Sequence, residues 1–210
     1  MKRFVFILLI IILATVVSFY FLRNRAKPWS PEWEEKIETF QPTSKIMNVI
    51  GVEKGMKVGE IGAGNGRFSV RLAKRVGSEG KVFANDIDLK AVRFMKQRLV
   101  NENINNVQVI LSRETNPYFP KNTLDMVCVI NSYENFSDPV RLLANTYSSL
   151  KKDGILAIVA FDPEKSSKKK EDAVSKELLI GEVKDAGYQL LSIDSTSLVY
   201  DNVYLFKKEQ

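Results

Sequence analysis

A regular alternation of short apolar segments with helical segments, from Met56 to the C-terminus, is the feature that most constrains the fold of this chain. Strands that alternate with helices favour a parallel sheet that is covered by helices and joined by right-handed crossovers. The last two strands follow one another directly, which predicts antiparallel pairing at one edge. We therefore expect an α/β fold, a doubly wound, mostly parallel seven-stranded sheet with an antiparallel edge strand. The predicted strands are residues 57–61, 81–85, 107–111, 124–131, 155–161, 188–194 and 199–206, and the predicted helices are residues 31–51 (interrupted near Pro42), 66–76, 88–101, 139–150 and 175–186.

The N-terminal segment Phe4–Leu22 contains 19 residues without a charge and is rich in Ile, Leu, Val and Phe. As a helix it would rise about 28 Å, which is close to the hydrocarbon thickness of a bilayer. A cleaved signal peptide is the alternative, but its apolar region is typically shorter and is followed by a small-residue cleavage site. We predict two parts, a transmembrane anchor with basic flanks over residues 1–27 and a folded domain over residues 28–210.

The expected location follows from the anchor and from the cysteine content. Basic residues flank the anchor on both sides, so the positive-inside rule is nearly balanced. Cys128 is the only cysteine of the chain and has no partner for an internal disulfide, which suits a reducing compartment. We expect a single-pass membrane protein whose domain lies in the cytoplasm.

The composition of the chain excludes several kinds of catalytic site and argues against one class of binding partner. The chain has no His, which excludes a Ser-His-Asp triad and a Cys-His pair, and we expect no metal site. The net charge of +6 comes mostly from residues 1–27, because the rest of the chain carries 26 basic and 25 acidic residues. This balance gives little support to a phosphate-tracking surface, so no nucleic-acid partner is expected.

The most informative motif is the glycine-rich stretch that follows the first strand and opens the next helix. Glycines at positions 62, 64 and 66 allow a sharp turn and a close approach of a ligand to the backbone. In a doubly wound sheet, this turn lies at the carboxyl ends of the strands, where ligands bind. The dinucleotide fingerprint G-x-G-x-x-G would need glycine at position 67, and Arg67 there disfavours a nicotinamide oxidoreductase.

Two acidic residues accompany this turn. Glu60 stands two residues before the first glycine, and Asp86 ends the next strand, twenty residues after Gly66. An acid at the position of Asp86 is placed to accept hydrogen bonds from a ribose diol. With these residues the chain resembles the class I S-adenosylmethionine-dependent methyltransferases, and the resemblance covers about residues 45–207.

Two further stretches are similar to that family. Leu124–Val127 resembles its fourth strand, and Leu150–Gly154 resembles its L-K-P-G-G turn, with Lys152 and Asp153 in place of Pro and the first Gly. The resemblance implies a Rossmann-like sheet and S-adenosyl-L-methionine as cofactor.

The resemblance also implies roles for individual residues. The turn would hold the methionine part of the cofactor, with Glu60 near its amino group. Asp86 would accept the ribose hydroxyls, and Ile87 would pack on adenine. Ser112, Arg113 and Glu114 would border the adenine. Asn131 and Tyr133 would line the methyl-donating end. The full set of implied cofactor-binding residues is Glu60, Gly62, Ala63, Gly64, Asn65, Gly66, Asp86, Ile87, Arg113, Glu114 and Asn131.

Methyl transfer from a sulfonium requires mainly that donor and acceptor are aligned and that water is excluded. The chain is closest to small methyltransferases that have D-V-Y-H-H-F after the fourth strand, where it has Asn131–Phe136 and keeps only the Tyr and the Phe. If a base is needed, Tyr133 and Glu134 are the candidate catalytic residues. An acceptor that is already deprotonated would need none.

The sequence thus predicts a membrane-anchored methyltransferase that acts on an unidentified small-molecule or lipid-like acceptor, such as a quinone-like ring. A non-catalytic S-adenosylmethionine-binding protein tethered to the membrane is one alternative. An amino-methyltransferase of nucleic acid or protein is another, although its N-P-P-Y signature is not matched by Asn131-Ser132-Tyr133.

Overall fold

The computed structural model describes residues 30–165 and 173–209. The chain divides into two compact units, residues 1–34 and 35–210, and the account below concerns the second. The predicted anchor Phe4–Leu22 lies outside the described residues. Within the part of the chain that is described, no helix is both long and apolar enough to cross a membrane.

Strands and helices alternate through this unit as predicted. The bounds of the helices are α1 Pro31–Phe40, α2 Thr43–Ile50, α3 Arg67–Val76, α4 Leu89–Asn101, α5 Pro139–Tyr147 and α6 Lys176–Asp185. The bounds of the strands are β1 Lys57–Ile61, β2 Lys81–Asp86, β3 Val107–Leu111, β4 Leu124–Ile130, β5 Leu150–Phe161, β6 Tyr188–Asp194 and β7 Asp201–Lys208. Short 3₁₀ turns cover Tyr133–Asn135 and Pro163–Lys165.

The seven strands form one sheet in the order β3-β2-β1-β4-β5-β7-β6. Neighbouring strands from β3 to β5 are parallel, whereas β7 pairs antiparallel with both β5 and β6. The predicted Rossmann-like sheet and the antiparallel pairing at one edge are therefore confirmed. The strand order reverses between β1 and β4, and ligands bind at such a switch point in open α/β sheets.

The alternating side chains of β4 explain why both faces of the sheet are covered. Met126 and Cys128 pack into an apolar core that also contains side chains of α2, α3 and α4. Val127 and Val129 point the other way, into a second core with side chains of α5 and α6. Burying a side chain of this size contributes about 1.5–3 kcal/mol, so an apolar strand such as β4 is strongly held at the centre of the sheet.

Three helices have an N-cap residue whose side chain accepts a hydrogen bond from the first turn. The side chains of Asp88, Asp138 and Ser175 each accept a hydrogen bond from a backbone N–H in the first turn of α4, α5 and α6, respectively. These caps fix where the three helices begin, close to the positions expected from the sequence.

The strand β5 differs most from its prediction, because it begins at Leu150 instead of residue 155. The register against β4 shifts here, so that Leu124 pairs with Leu150 but Met126 pairs with Ile155. Leu150 is fully buried, and a Cβ on Gly154 would lie 3.0 Å from the Leu124 carbonyl oxygen. Residues 150–154, which the sequence likens to a turn, therefore form an irregular first part of β5, because Leu150 is buried and Gly154 lies close to β4.

Candidate functional site

A cleft of about 350 Å³ opens at the carboxyl ends of the strands from β1 to β4. This volume is within the range of small-molecule sites, which is about 300–1,000 Å³. The cleft brings together residues from five separate stretches of the chain. The residues that the sequence predicted and that line it are Gly62, Asp86, Ile87, Ser112, Arg113, Glu114 and Asn131.

The glycine-rich turn between β1 and α3 lies beside this cleft. Gly62, Gly64 and Gly66 have φ values of +72°, +54° and +80°, a region that favours glycine. The turn is held by two backbone bonds, from Ala63 N–H to the Asn85 carbonyl at 2.8 Å and from Gly66 N–H to the Ala63 carbonyl at 2.9 Å. The predicted residues Ala63, Gly64, Asn65 and Gly66 thus form the turn but do not border the cleft.

The three glycines have different surroundings. A Cβ on Gly62 would lie 2.6 Å from Cβ of Ser132, and a Cβ on Gly66 would lie 2.8 Å from Cγ of Met95. A Cβ on Gly64 would meet nothing within 4 Å. Gly62 and Gly66 therefore allow close internal packing, whereas Gly64 leaves open space above the turn.

Asp86 ends β2 and holds the turn with its carboxylate. Its Oδ2 accepts the Gly64 N–H at 2.8 Å, and its Oδ1 accepts the Asp88 N–H at 2.8 Å. The side chain also lines the cleft. A carboxylate has about four acceptor positions, so both oxygens can still accept hydrogen bonds from a ligand.

Glu60, on β1, lies beneath the turn and does not border the cleft. Its side chain is 3 % exposed, and its Oε2 accepts the Ser69 hydroxyl at 2.6 Å. Burial raises the pKa of Glu60 to about 7, against the opposing effects of the Ser69 hydrogen bond and the Arg67 charge. The structure thus gives this carboxyl an internal partner on α3, and the role implied by the resemblance stays a prediction.

The segment that follows β4 forms the opposite wall. Asn131 has φ of +51°, and its backbone N–H donates to the Val159 carbonyl at 2.8 Å. The Ser132 hydroxyl donates to the Ile61 carbonyl at 3.0 Å, so this wall is tied to the end of β1. Asn131 and Ser132 both line the cleft.

Residues after β3 close the third side. The Ser112 N–H donates to the Asp86 carbonyl at 3.0 Å, and Arg113 and Asn116 exchange two backbone bonds of 3.1 Å. Oε2 of Glu114 accepts the Ser137 hydroxyl at 3.1 Å, which joins this loop to the wall after β4. Ile87 is 58 % exposed and offers an apolar surface at this end of the cleft.

The structure places Tyr133 and Glu134, the two candidate catalytic residues, outside the cleft, and their catalytic role stays a prediction. The Tyr133 ring is buried in the core under α5 and α6, and its hydroxyl donates to Glu182 Oε2 at 2.8 Å. Burial and this carboxylate raise the pKa of Tyr133 far above its usual value. Glu134 lies with Tyr133 at a separate small hollow near Phe161. Neither side chain reaches the cleft, because the 3₁₀ turn directs them to the other side of the segment.

Sequence reasoning missed several residues that do line the cleft. Asn85 comes one residue before the predicted acid of β2, and four others belong to or follow the 3₁₀ turn after β4. The alternation of β2 offered a signal for Asn85, but the direction of side chains within a short turn carries no comparable periodicity. The residues missed are Ile61, Asn85, Ser132, Asn135, Phe136, Ser137 and Leu142.

Comparison with known proteins places this site in context. A protein family described as "Methyltransferase domain" matches residues 52–194. The ubiquinone/menaquinone biosynthesis C-methyltransferase UbiE of Marinomonas sp. (strain MWYL1) is 31% identical over 117 residues, which cover 55% of this chain and 47% of that protein. The protein of the same name from Cronobacter sakazakii is 30% identical over 144 residues, which cover 65% of this chain and 57% of that protein. The chain spans about half the length of the curated relatives it matches.

Solved structures share the fold. A SAM-dependent methyltransferase from Aquifex aeolicus superimposes with a TM-score of 0.74 at 24% sequence identity, and the match covers 85% of this chain and 98% of that one.

Proposed function

This chain belongs to the methyltransferase domain family whose match spans residues 52–194, and we propose that it is an S-adenosylmethionine-dependent methyltransferase for a small quinol-like ring. The observation that carries this proposal is the joint placement of Asp86 and the glycine-rich turn at one cleft. Asp86 accepts a backbone N–H from the turn with one oxygen and still faces the cleft. A nucleoside in that cleft would find a carboxylate for its sugar beside a turn in which three of the five residues are glycine.

The residues present fit this cofactor. Asp86 supplies acceptors for a ribose diol, Ile87 supplies an exposed apolar surface for a base, and Gly64 leaves open space above the turn. Asn131 would border the end of the cofactor that lies over β4. When bound, S-adenosylmethionine supplies a methyl group already activated by a positive sulfur.

The side chains of this chain would then act mainly by alignment. Alignment of two reactants can lower the activation free energy by up to about 7–11 kcal/mol. The titratable side chains among the described residues that line the cleft are Asp86, Arg113 and Glu114. Since Tyr133 is turned into the core, an acceptor with a phenolic hydroxyl, such as a hydroquinone, suits this cleft better than an alcohol, which would need a much stronger base.

The acceptor class is also favoured by the relatives and by the N-terminal segment. The matching curated relatives are named for C-methylation in ubiquinone and menaquinone biosynthesis. The apolar segment Phe4–Leu22 is long enough to anchor the chain at a bilayer, where a prenylated ring would be dissolved. We infer that the enzyme is a single-pass membrane protein whose domain meets its acceptor at the cytoplasmic surface.

Calorimetry and a transfer assay test this proposal. The full chain should bind S-adenosylhomocysteine and not NADH, and Asp86→Asn should weaken the binding of S-adenosylhomocysteine. Asp125→Asn is the matched control, because Asp125 is the second residue of β4, at the opposite end of the strand from the cleft, where it accepts hydrogen bonds from the Lys57 N–H and the Lys151 ammonium. Binding of NADH alone would contradict the proposal.

The transfer assay then separates an enzyme from a binding protein. Membranes that contain the full chain should move labelled methyl from S-adenosylmethionine to a short-chain prenylated hydroquinone. Tight binding without transfer to this or any extractable lipid would instead favour a non-catalytic role. Carbonate extraction tests the anchor separately, because an anchored chain stays in the membrane pellet.

A further inference from the structure

A chain of four side chains runs behind the wall of the cleft and joins distant parts of the sequence. Arg67, at the start of α3, donates to Gln41 Oε1 at 2.9 Å. Nε2 of Gln41 donates to Asp201 Oδ2 at 2.9 Å, and Nδ2 of Asn131 donates to Asp201 Oδ1 at 3.1 Å. These three hydrogen bonds thus link the start of α3, the segment after α1, the start of β7 and the residue after β4.

The chemistry of its members fixes the direction of every bond. A guanidinium only donates hydrogen bonds and an ionised carboxylate only accepts them, whereas an amide does both. Arg67 therefore selects the oxygen of the Gln41 amide, and Asp201 selects the nitrogen of both amides. Asp201 is 1 % exposed, so water does not compete with the two amides for its carboxylate.

Asn131 is the one member of this chain of side chains that also lines the cleft. Its φ of +51° is unusual for a residue with a side chain, although Asn tolerates it better than most. Its Oδ1 is buried and has no hydrogen-bond partner among the described residues. The Asp201 carboxylate is therefore the side-chain contact that holds the Asn131 amide in place.

We propose that Asp201 is a positioning residue, which holds Asn131 in this left-handed conformation and so fixes the β4 wall of the cleft. Asp201 lies outside the cleft and acts through the Asn131 amide. This inference rests on the proposed function, because its main readout is the affinity for S-adenosylhomocysteine.

A double-mutant cycle tests the route from Asp201 to the cleft. In Asp201→Asn, an NH2 group replaces one of the two carboxylate oxygens, and it cannot accept from the amide that faces it. A hydrogen bond to a buried charge is strong enough that its loss should weaken binding about tenfold. Asn131→Gly removes the amide while it keeps a residue that adopts positive φ without strain. In that background, Asp201→Asn should change the dissociation constant by less than about twofold.

The outcomes distinguish this route from a general structural role. Asp125→Asn is the matched control, since it removes a carboxylate at the opposite end of β4 and should leave the dissociation constant unchanged. Equal weakening by Asp201→Asn in both backgrounds, or no weakening in either, overturns the proposal. Thermal melts of each variant check that the fold is kept.

A second measurement does not depend on the cofactor. In the ligand-free full chain, the side-chain amide protons of Asn131 should exchange at least about tenfold faster with solvent in Asp201→Asn than in the wild type. Equal exchange rates overturn the positioning role even if S-adenosylhomocysteine does not bind. If the wild type fails to bind S-adenosylhomocysteine but exchange responds as expected, the proposed function fails and the positioning role stands.

Discussion

The pH dependence of folding stability should reveal the buried carboxyl beneath the glycine-rich turn. Glu60 is 3 % exposed, and burial raises its pKa from 4.5 to about 7. A group whose pKa is raised by folding binds its proton more tightly in the folded state. Its protonated form therefore adds to stability fully below pH 4.5, and this contribution is lost as the pH rises through about 7.

Glu60→Gln isolates this effect because glutamine cannot ionise. Its amide oxygen can still accept the Ser69 hydroxyl that Glu60 Oε2 accepts at 2.6 Å. A pKa difference of about 2.5 corresponds to about 3 kcal/mol for the ionised carboxyl above pH 8, and to about 1 kcal/mol at pH 5. The variant should therefore gain about 2 kcal/mol relative to the wild type between pH 5 and pH 8.

Urea unfolding at several pH values measures this difference directly. Glu102→Gln is the matched control. Its partial burial raises the pKa of Glu102, but hydrogen bonds from Arg98 and Lys74 outweigh this and lower it. Relative to the wild type, that control should lose stability only as the pH rises from the lowered pKa towards about 4.5, and the difference should stay constant from pH 5 to pH 8. A constant difference between Glu60→Gln and the wild type from pH 5 to pH 8 would refute the argument that burial controls this carboxyl.

The remaining predictions concern the turn and the cleft. Gly62→Ala should cost about 3 kcal/mol in urea unfolding, because its Cβ would lie 2.6 Å from Ser132, whereas Gly64→Ala should cost about 1 kcal/mol for backbone strain alone. An equal cost for both would contradict this packing argument. Asp86→Asn should weaken binding of S-adenosylhomocysteine at least about tenfold in calorimetry, and unchanged affinity would remove the sugar contact. Tyr133→Phe should keep methyl transfer within about twofold and lose about 1 kcal/mol of stability, and a large loss of turnover would return this hydroxyl to catalysis.

The fold could be predicted because its strands carry strong local signals. β4 is apolar over nearly its whole length, as expected for a strand covered on both faces, and its residues divide between two cores. The start of β5 could not be predicted in the same way. Lys151, Lys152 and Asp153 form a polar run typical of a turn, and only the burial of Leu150 and the approach of Gly154 to β4 keep them in the strand.

The candidate site, like the fold, could be predicted only in part. Backbone features were predictable, because positive φ at the glycines and an acid at the end of β2 leave clear marks in the sequence. The directions of the side chains after β4 were not predictable in this way. The motif after β4 predicts a catalytic role for Tyr133, but the 3₁₀ turn points Tyr133 to Glu182 and leaves Phe136 at the cleft. Such a choice depends on contacts with α6, which lies about fifty residues further along the chain.

The two acids that accompany the turn show why spacing alone does not assign a role. Both are carboxylates at the ends of neighbouring parallel strands, and both hold the turn or its helix through one hydrogen bond. Glu60 points under the turn to Ser69, where burial raises its pKa to about 7, whereas Asp86 lies beside the turn and borders the cleft. A ligand sugar needs an accessible acceptor, so Asp86 can serve it directly. Glu60 supports the turn from below, and its charge could act on a ligand only above the pH at which it ionises.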